Sequence, residues 1–185
     1  MTLRFPLAWI SVLLLVAGCN KEEQVGKYKS AGAEDGVAVF FSPQTDCRKL
    51  IINQIREAQK TIHLQAYSFS SERIARALVD AKKMGVKVTV IIDGTKADGK
   101  SETGFLAKKG IDTHVDAEHE KAHNKVILID GKTIITGSFN FSDGDEDSTA
   151  DNMLIIRDKP KLMEAYEENF QGHLRHSKKQ DREGR

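Results

Sequence analysis

The stretch from Val126 to Phe139, VILID-GK-TIITGSF, constrains the fold more than any other part of the chain. Two β-branched runs parted by Gly131 and Lys132 ask for neighbouring strands joined by a tight turn. A hairpin alone is marginal in water, so this pair must sit inside a larger sheet. The segments before it supply that sheet. VAVFFS (37–42) reads as a strand stopped by Pro43, and Asp46 as the N-cap of a helix to Lys60, with Leu50, Ile51, Ile55 and Ala58 at core-facing spacing. TIHLQAYSF (61–69) reads as a strand; Ser70 or Ser71 caps a second helix to Met84, ended by Gly85. KVTVIID (87–93) has the unbroken apolar character of a strand buried on both faces.

A short helix over Glu102–Lys109, a strand near Ile111–Val115, a strand at MLIIR (153–157) and a helix opened by Pro160 complete the order. Strands and helices alternate early, and the hairpin-like pair comes late. The expected fold class is therefore α/β, a mixed β-sheet flanked by helices. The boundaries expected are a signal at 1–18, a tether at 19–36, one domain at 37–177 and a solvated tail at 178–185.

The chain of 185 residues is long enough for one domain with a real core. Its start is read separately. Arg4 precedes an apolar run, Leu7 to Val16, and Ala17-Gly18-Cys19 follows. That run is short for a membrane span and resembles a bacterial lipoprotein signal, which leaves Cys19 as the lipidated first residue. The expectation is an exported protein of the cell envelope, anchored to a membrane by lipid. Loss of Arg4 with the signal brings the 28 basic residues down to the number of acidic ones, 27, so no strongly basic surface advertises nucleic acid. Cys47 is then the remaining thiol, expected in the core.

Two chemistries overlap just before the hairpin. His119-Glu120-Lys121-Ala122-His123 matches H-E-x-x-H, the zinc-protease pattern, which needs both histidines on one helix face. Its flanks, HVDAE before and HNKVILID after, favour extended backbone instead, so no metal is expected there. From His123 onward the chain matches H-x-K-x-x-x-x-D, with Lys125 and Asp130. On a strand, His123 and Lys125 share a face about 6.5 to 7 Å apart and reach one phosphate together. Lys125 offers a point charge to its oxygens, and His123 a nucleophile or acid near neutral pH. By the same alternation Ser138 and Asn140 share a face on the next strand and add neutral donors.

HNKVILIDGKTIITGSFNFS (123–142) resembles the signature of the phospholipase D superfamily, H-x-K-x-x-x-x-D followed by G-S-x-N. AYSFS (66–70), the VTVIID strand and the order of elements from Val37 to His176 are similar to its small single-motif nucleases. The resemblance implies that His123 attacks phosphorus to form a phosphohistidine, that Lys125 and Asn140 stabilise the phosphoryl oxygens, and that Asp130 gives structural and electrostatic support. It implies Ser138 as a phosphate or supporting donor, no metal and no other cofactor. With one motif per chain, it implies a symmetric homodimer in which two copies of His123 meet. The sequence departs from the family where a histidine-orienting glutamate is expected: Asp151, before Asn152, stands there and is assigned that role.

The acidic loop 143–151 fails the EF-hand pattern and reads as solvated. His63 reads as a satisfied core residue; His114, His173 and His176 show no partner spacing and default to the surface. His119 is placed at the edge of the cleft. Three functions follow in order: a metal-independent, non-specific endonuclease acting on nucleic acid, a phospholipase D acting on membrane phospholipid, and a membrane-tethered polyanion-binding module without turnover.

Overall fold

The computed structural model describes residues 35–98, 101–143 and 148–181. The signal, Cys19 and nearly all of the tether lie outside the described residues. Eight strands form a single sheet: β1 (Val37–Phe41), β2 (Thr61–Ala66), β3 (Lys87–Asp93), β4 (Asp112–Asp116), β5 (Lys125–Ile129), β6 (Thr133–Gly137), β7 (Asn152–Arg157) and β8 (Lys178–Lys179). Their order is β1-β7-β6-β5-β2-β3-β4-β8. β2, β3 and β4 run parallel, and every other pairing is antiparallel. The mixed α/β sheet expected from the sequence is what forms.

Helices α1 (Cys47–Glu57), α2 (Glu72–Lys83), α3 (Thr103–Lys108) and α4 (Pro160–His176) cover it. Asp46 accepts the Lys49 amide and Ser71 the Ile74 amide, so both caps satisfy amides that the first helical turn leaves open. Ile51 and Ile55 of α1 and Ile74 and Leu78 of α2 pack on one sheet face with Ile62, Leu64, Val90, Ile92, Ile127 and Ile129. On the other face Met163 and Phe170 of α4 meet Ile91, Val126, Leu128, Ile134 and Ile156. Alternate residues of β3 and β5 thus feed opposite cores, which is why both runs are apolar without a break.

The hairpin turn is centred one residue earlier than the sequence suggests. Asp130 and Gly131 both take positive φ, 55° and 64°, and the Lys132 amide donates to the Ile129 carbonyl at 3.0 Å. Such a turn suits the right-handed twist of paired strands and favours an aspartate followed by glycine. The Asp130 carboxylate then accepts three amides at the start of β2: Gln59 at 2.8 Å, Lys60 at 2.7 Å and Thr61 at 2.9 Å. Burial pushes its acidity down, but those three donors outweigh it and hold the Asp130 pKa below the usual value.

The tail differs from expectation at its beginning. Lys178 and Lys179 pair with Val115 and His114 as β8, covering the edge that β4 would otherwise present. Asp143, expected in a solvated loop, is instead held by Arg48 at 2.9 Å and by the Ser71 hydroxyl at 2.8 Å.

Asp130→Ala should lower stability by about 1 to 3 kcal/mol, since it strips three amides of their acceptor. Asp130→Asn should lose less, because asparagine tolerates the left-handed backbone. The folded pKa is depressed, so the wild-type advantage over Asp130→Asn should be full above the unfolded value of 3.8 and shrink as pH falls through the folded one. Denaturant melts of both variants across pH 2.5 to about 7 check the size and the direction.

Candidate active site

One end of the sheet gathers the polar residues. The C-terminal ends of β2, β3, β4 and β6 meet there with the N-terminal ends of β5 and β7, as their registers require. Lys125 opens β5 and is only 7 % exposed; His123, two residues earlier, is exposed. The Lys125 Nζ lies 3.2 Å from His123 Nδ1 and 3.3 Å from Nε2. Nearly equal distances to both nitrogens place the ammonium over the imidazole ring rather than along one lone pair.

Tyr67, directly after β2, closes the other flank. Its amide donates to the Asn124 carbonyl at 2.7 Å, and its ring centroid stands 4.4 Å from that of His123. Lys125 and Lys96 each bring an ammonium to 5.3 Å from the Tyr67 ring centre. Two cations about one aromatic ring form a favourable arrangement that also concentrates positive charge near His123. Asp93, buried at the end of β3, accepts the Ala122 amide at 2.5 Å. That bond fixes the backbone one residue before His123.

Glycine is required at position 137. A Cβ there would lie 2.2 Å from the Asn152 carbonyl oxygen, an impossible contact, and φ is 152°. The close approach lets the Ser138 amide donate to that carbonyl at 3.0 Å, and lets the Ser138 Oγ accept the Asn152 amide at 3.1 Å. The Ser138 hydroxyl donates to Asp151 at 2.7 Å. Asn140 is half-buried, and its side-chain oxygen is buried with no hydrogen-bond partner among the described residues. An unpaired buried amide oxygen is costly unless something else supplies a donor.

The expected residues thus divide. His123 and Lys125 come together. Ser138 and Asp151 pair with each other, and no hydrogen bond joins Asp151 to His123 among the described residues; the shorter side chain is spent on the serine. Asp151 still acts on Lys125: burial pushes the ammonium pKa down, and the nearby carboxylate partly offsets that. Asp130, grouped with the catalytic residues from its motif, is not at the site. It lies at the opposite end of β5, about 17 Å away by strand rise, with its carboxylate held by three backbone amides. It positions the strand that carries Lys125.

The H-E-x-x-H alternative is overturned, because no helix forms between β4 and β5. His119 turns away to Asp116 Oδ2 at 3.3 Å, where His173 and His176 of α4 also converge, at 2.6 and 3.2 Å. Burial pushes the Asp116 carboxyl up, but hydrogen bonds from His173, His176, the Glu118 amide and His119 outweigh it and hold it far below the usual range. The surface assignment is corrected for His173, which is half-buried, and for His114, whose ring nitrogens are buried, while His176 is exposed as expected. The signal of the Asp116 cluster was present as two pairs spaced by three, Asp116/His119 and His173/His176. Tyr67, Lys96 and Asp93 were also missed; each follows the C-terminal end of a parallel strand or closes it, where α/β sheets build sites. His63 stacks on Phe170 with centroids 4.7 Å apart and pairs with Glu167 at 2.9 Å.

Residues 51–174 match the family model described as cardiolipin synthase, PLD-like domain. The chain belongs to the phospholipase D superfamily. It is an enzyme of that superfamily, a phosphodiesterase. A protein named phospholipase D from Rickettsia prowazekii is 39% identical over 139 residues, covering 75% of this chain and 67% of the relative. Mitochondrial cardiolipin hydrolase of Xenopus laevis is 31% identical over 131 residues, covering 70% and 62%. Among solved structures, the phospholipase D family member Nuc from Salmonella typhimurium is 34% identical with a TM-score of 0.75, covering 78% of this chain and 97% of that one. NucT from Helicobacter pylori shares the fold at a TM-score of 0.70 and 23% identity, covering 76% and 96%.

Removing the Lys125 ammonium should damage turnover and not folding, because its burial already opposes the charge. Lys125→Ala is expected to lower kcat/KM by about 100- to 1000-fold while leaving Tm unchanged or raised. A lowered Tm with intact turnover would contradict this placement; phosphodiesterase kinetics and a thermal melt on the same sample decide.

Proposed function

We propose that the protein hydrolyses phosphodiesters through a phosphohistidine on His123, as a symmetric homodimer acting on nucleic acid with little sequence preference. The observation that carries this reading is the His123–Lys125 contact at an exposed end of the sheet. A ring nitrogen of His123 bonds to phosphorus, and the P–O bond to the leaving group breaks. Lys125 balances charge on the non-bridging oxygens. Asn140 lies on the adjoining chain segment, and its side-chain NH2 donates the second phosphoryl contact that the family motif implies.

The leaving oxygen needs a proton, and one chain offers one such histidine. The partner subunit's His123 supplies it as general acid, then takes a proton from the water that attacks the phosphohistidine. Water oxygen ends on phosphorus, and His123 is released unchanged. The two roles require one imidazole neutral and the other protonated, so kcat/KM should follow a bell-shaped pH profile.

Nucleic acid is favoured by the surroundings of Tyr67. The Lys96 and Lys125 ammonium groups, each 5.3 Å from the Tyr67 ring centre, set two cations where successive phosphates of a polymer can meet them. The second reading, hydrolysis of a membrane phospholipid, rests on the Rickettsia prowazekii and Rickettsia conorii relatives named phospholipase D, 39% and 41% identical. A lipid on Cys19 would hold the domain beside either a bilayer or a polymer reaching it, and it remains part of the proposal.

Plasmid DNA and phospholipid vesicles offered to the same preparation separate the readings: nicking without head-group release supports the first, and the converse supports the second. His123→Ala should reduce turnover of either by about 1000-fold or more. Dimers mixed from wild-type and His123→Ala chains should be as inactive as the pure variant. Half the wild-type rate per mixed dimer would rule out the shared site.

A further inference from the structure

At the end of β4, three elements send imidazoles to one carboxylate. Asp116, fully buried, ends the strand; His119 stands in the loop after it; His173 and His176 lie one turn apart on the last turn of α4. Three ring nitrogens surround the single oxygen Oδ2: His173 Nδ1 at 2.6 Å, His176 Nε2 at 3.2 Å and His119 Nδ1 at 3.3 Å. The other oxygen, Oδ1, already accepts the Glu118 amide at 3.1 Å. One carboxylate oxygen has two lone pairs, so three imidazoles oversubscribe it as hydrogen-bond acceptor.

A metal ion relieves that conflict. All four donor atoms lie within 4.8 Å of one another. In a tetrahedral zinc site with bonds near 2.0 to 2.2 Å, neighbouring ligand atoms are about 3.3 Å apart. Two of the three separations from Asp116 are already there. The rings are tilted against one another, with centroids 4.9, 5.2 and 5.3 Å apart, as imidazoles pointing at one centre must be. The C-terminal end of α4, at the negative pole of its helix dipole, also favours a cation.

We infer that Asp116, His119, His173 and His176 form a divalent transition-metal site, best suited to zinc, separate from the site of phosphodiester chemistry. Three imidazoles and one carboxylate suit zinc's ligand preference and its tetrahedral geometry. Four protein ligands leave no open position, so the ion is structural. It clips the end of α4 to the end of β4 and fixes the loop that reaches His123 four residues after His119. β4 stands three strands from β5, roughly 14 Å along the sheet, so the ion takes no part in the bonds that break at His123. The site would exist whether or not the phosphodiesterase reading of His123 holds.

The test uses the full chain, purified in detergent with a histidine-free affinity tag, supplied with equimolar zinc and passed over chelating resin. Elemental analysis should find about one zinc per chain, and cobalt in its place should give the intense visible absorption of a tetrahedral centre. Zinc at about 100 times its Kd should raise Tm by roughly 5 to 10 °C, reversed by EDTA. His119→Ala, in an exposed loop, and His176→Ala should each lose the metal and the Tm response. Less than about a tenth of an equivalent retained by folded wild type, with Tm indifferent to zinc and EDTA, would overturn the site. So would zinc retained undiminished in both variants. Should either variant fail to fold, the cobalt spectrum and Tm response of the wild type decide alone.

Discussion

The register of β5 between β2 and β6 is the constraint on which the site depends. Side chains alternate along a strand, so a slip by one residue would send Lys125 to the face now occupied by Val126 and Leu128. Two devices hold that register from opposite ends. Asp130 receives three amides of the β2 start, and Tyr67 donates its amide to Asn124 at the β2 end. Between them lie five residues, all buried. The motif aspartate is therefore tied to the motif lysine by strand mechanics and not by contact, which explains how a residue remote from the phosphate belongs to the same short pattern.

Much of this was legible in the sequence because it rests on local rules. KVTVIID forms over the residues expected, and Asp46 and Ser71 cap their helices. The His123–Lys125 proximity was expected from alternation on one strand, although only Lys125 lies on β5 and His123 stands in the loop just before it. Other features were hidden because they need the sheet to be assembled first. Strand order brings Asp93 beneath Ala122 and Tyr67 beside His123, and nothing local announces either. The Asp116 cluster joins a strand end to histidines of a helix more than fifty residues later, so its two pairs looked unrelated. Ser138 and Asn140 were expected to alternate on a strand, but β6 ends at Gly137, and beyond it Ser138 turns to Asp151 and Asn152.

Asp151 shows how one methylene redistributes contacts. A carboxylate at this position that reached His123 would leave Ser138 without its acceptor. Here the shorter side chain satisfies Ser138 and influences Lys125 through space. The orientation of His123 then falls to Tyr67 on one side, Lys125 over the ring and the Asp93–Ala122 bond behind it. Both the exposed chemistry of His123 and the carboxylate cluster of Asp116 stand at the same end of the sheet, joined by the loop from Ala117 to Asn124. That loop is the mechanical link between them.

The central claim is that a His123 nitrogen bonds to phosphorus during turnover. Rapid quenching during hydrolysis of a chromogenic phosphodiester, followed by digestion and mass spectrometry under neutral conditions, measures it directly. The account predicts a peptide spanning His123 heavier by the phosphoryl group that the substrate transfers, formed and lost at rates that match turnover. Wild-type turnover without such an adduct, or with one on a different residue, would contradict it.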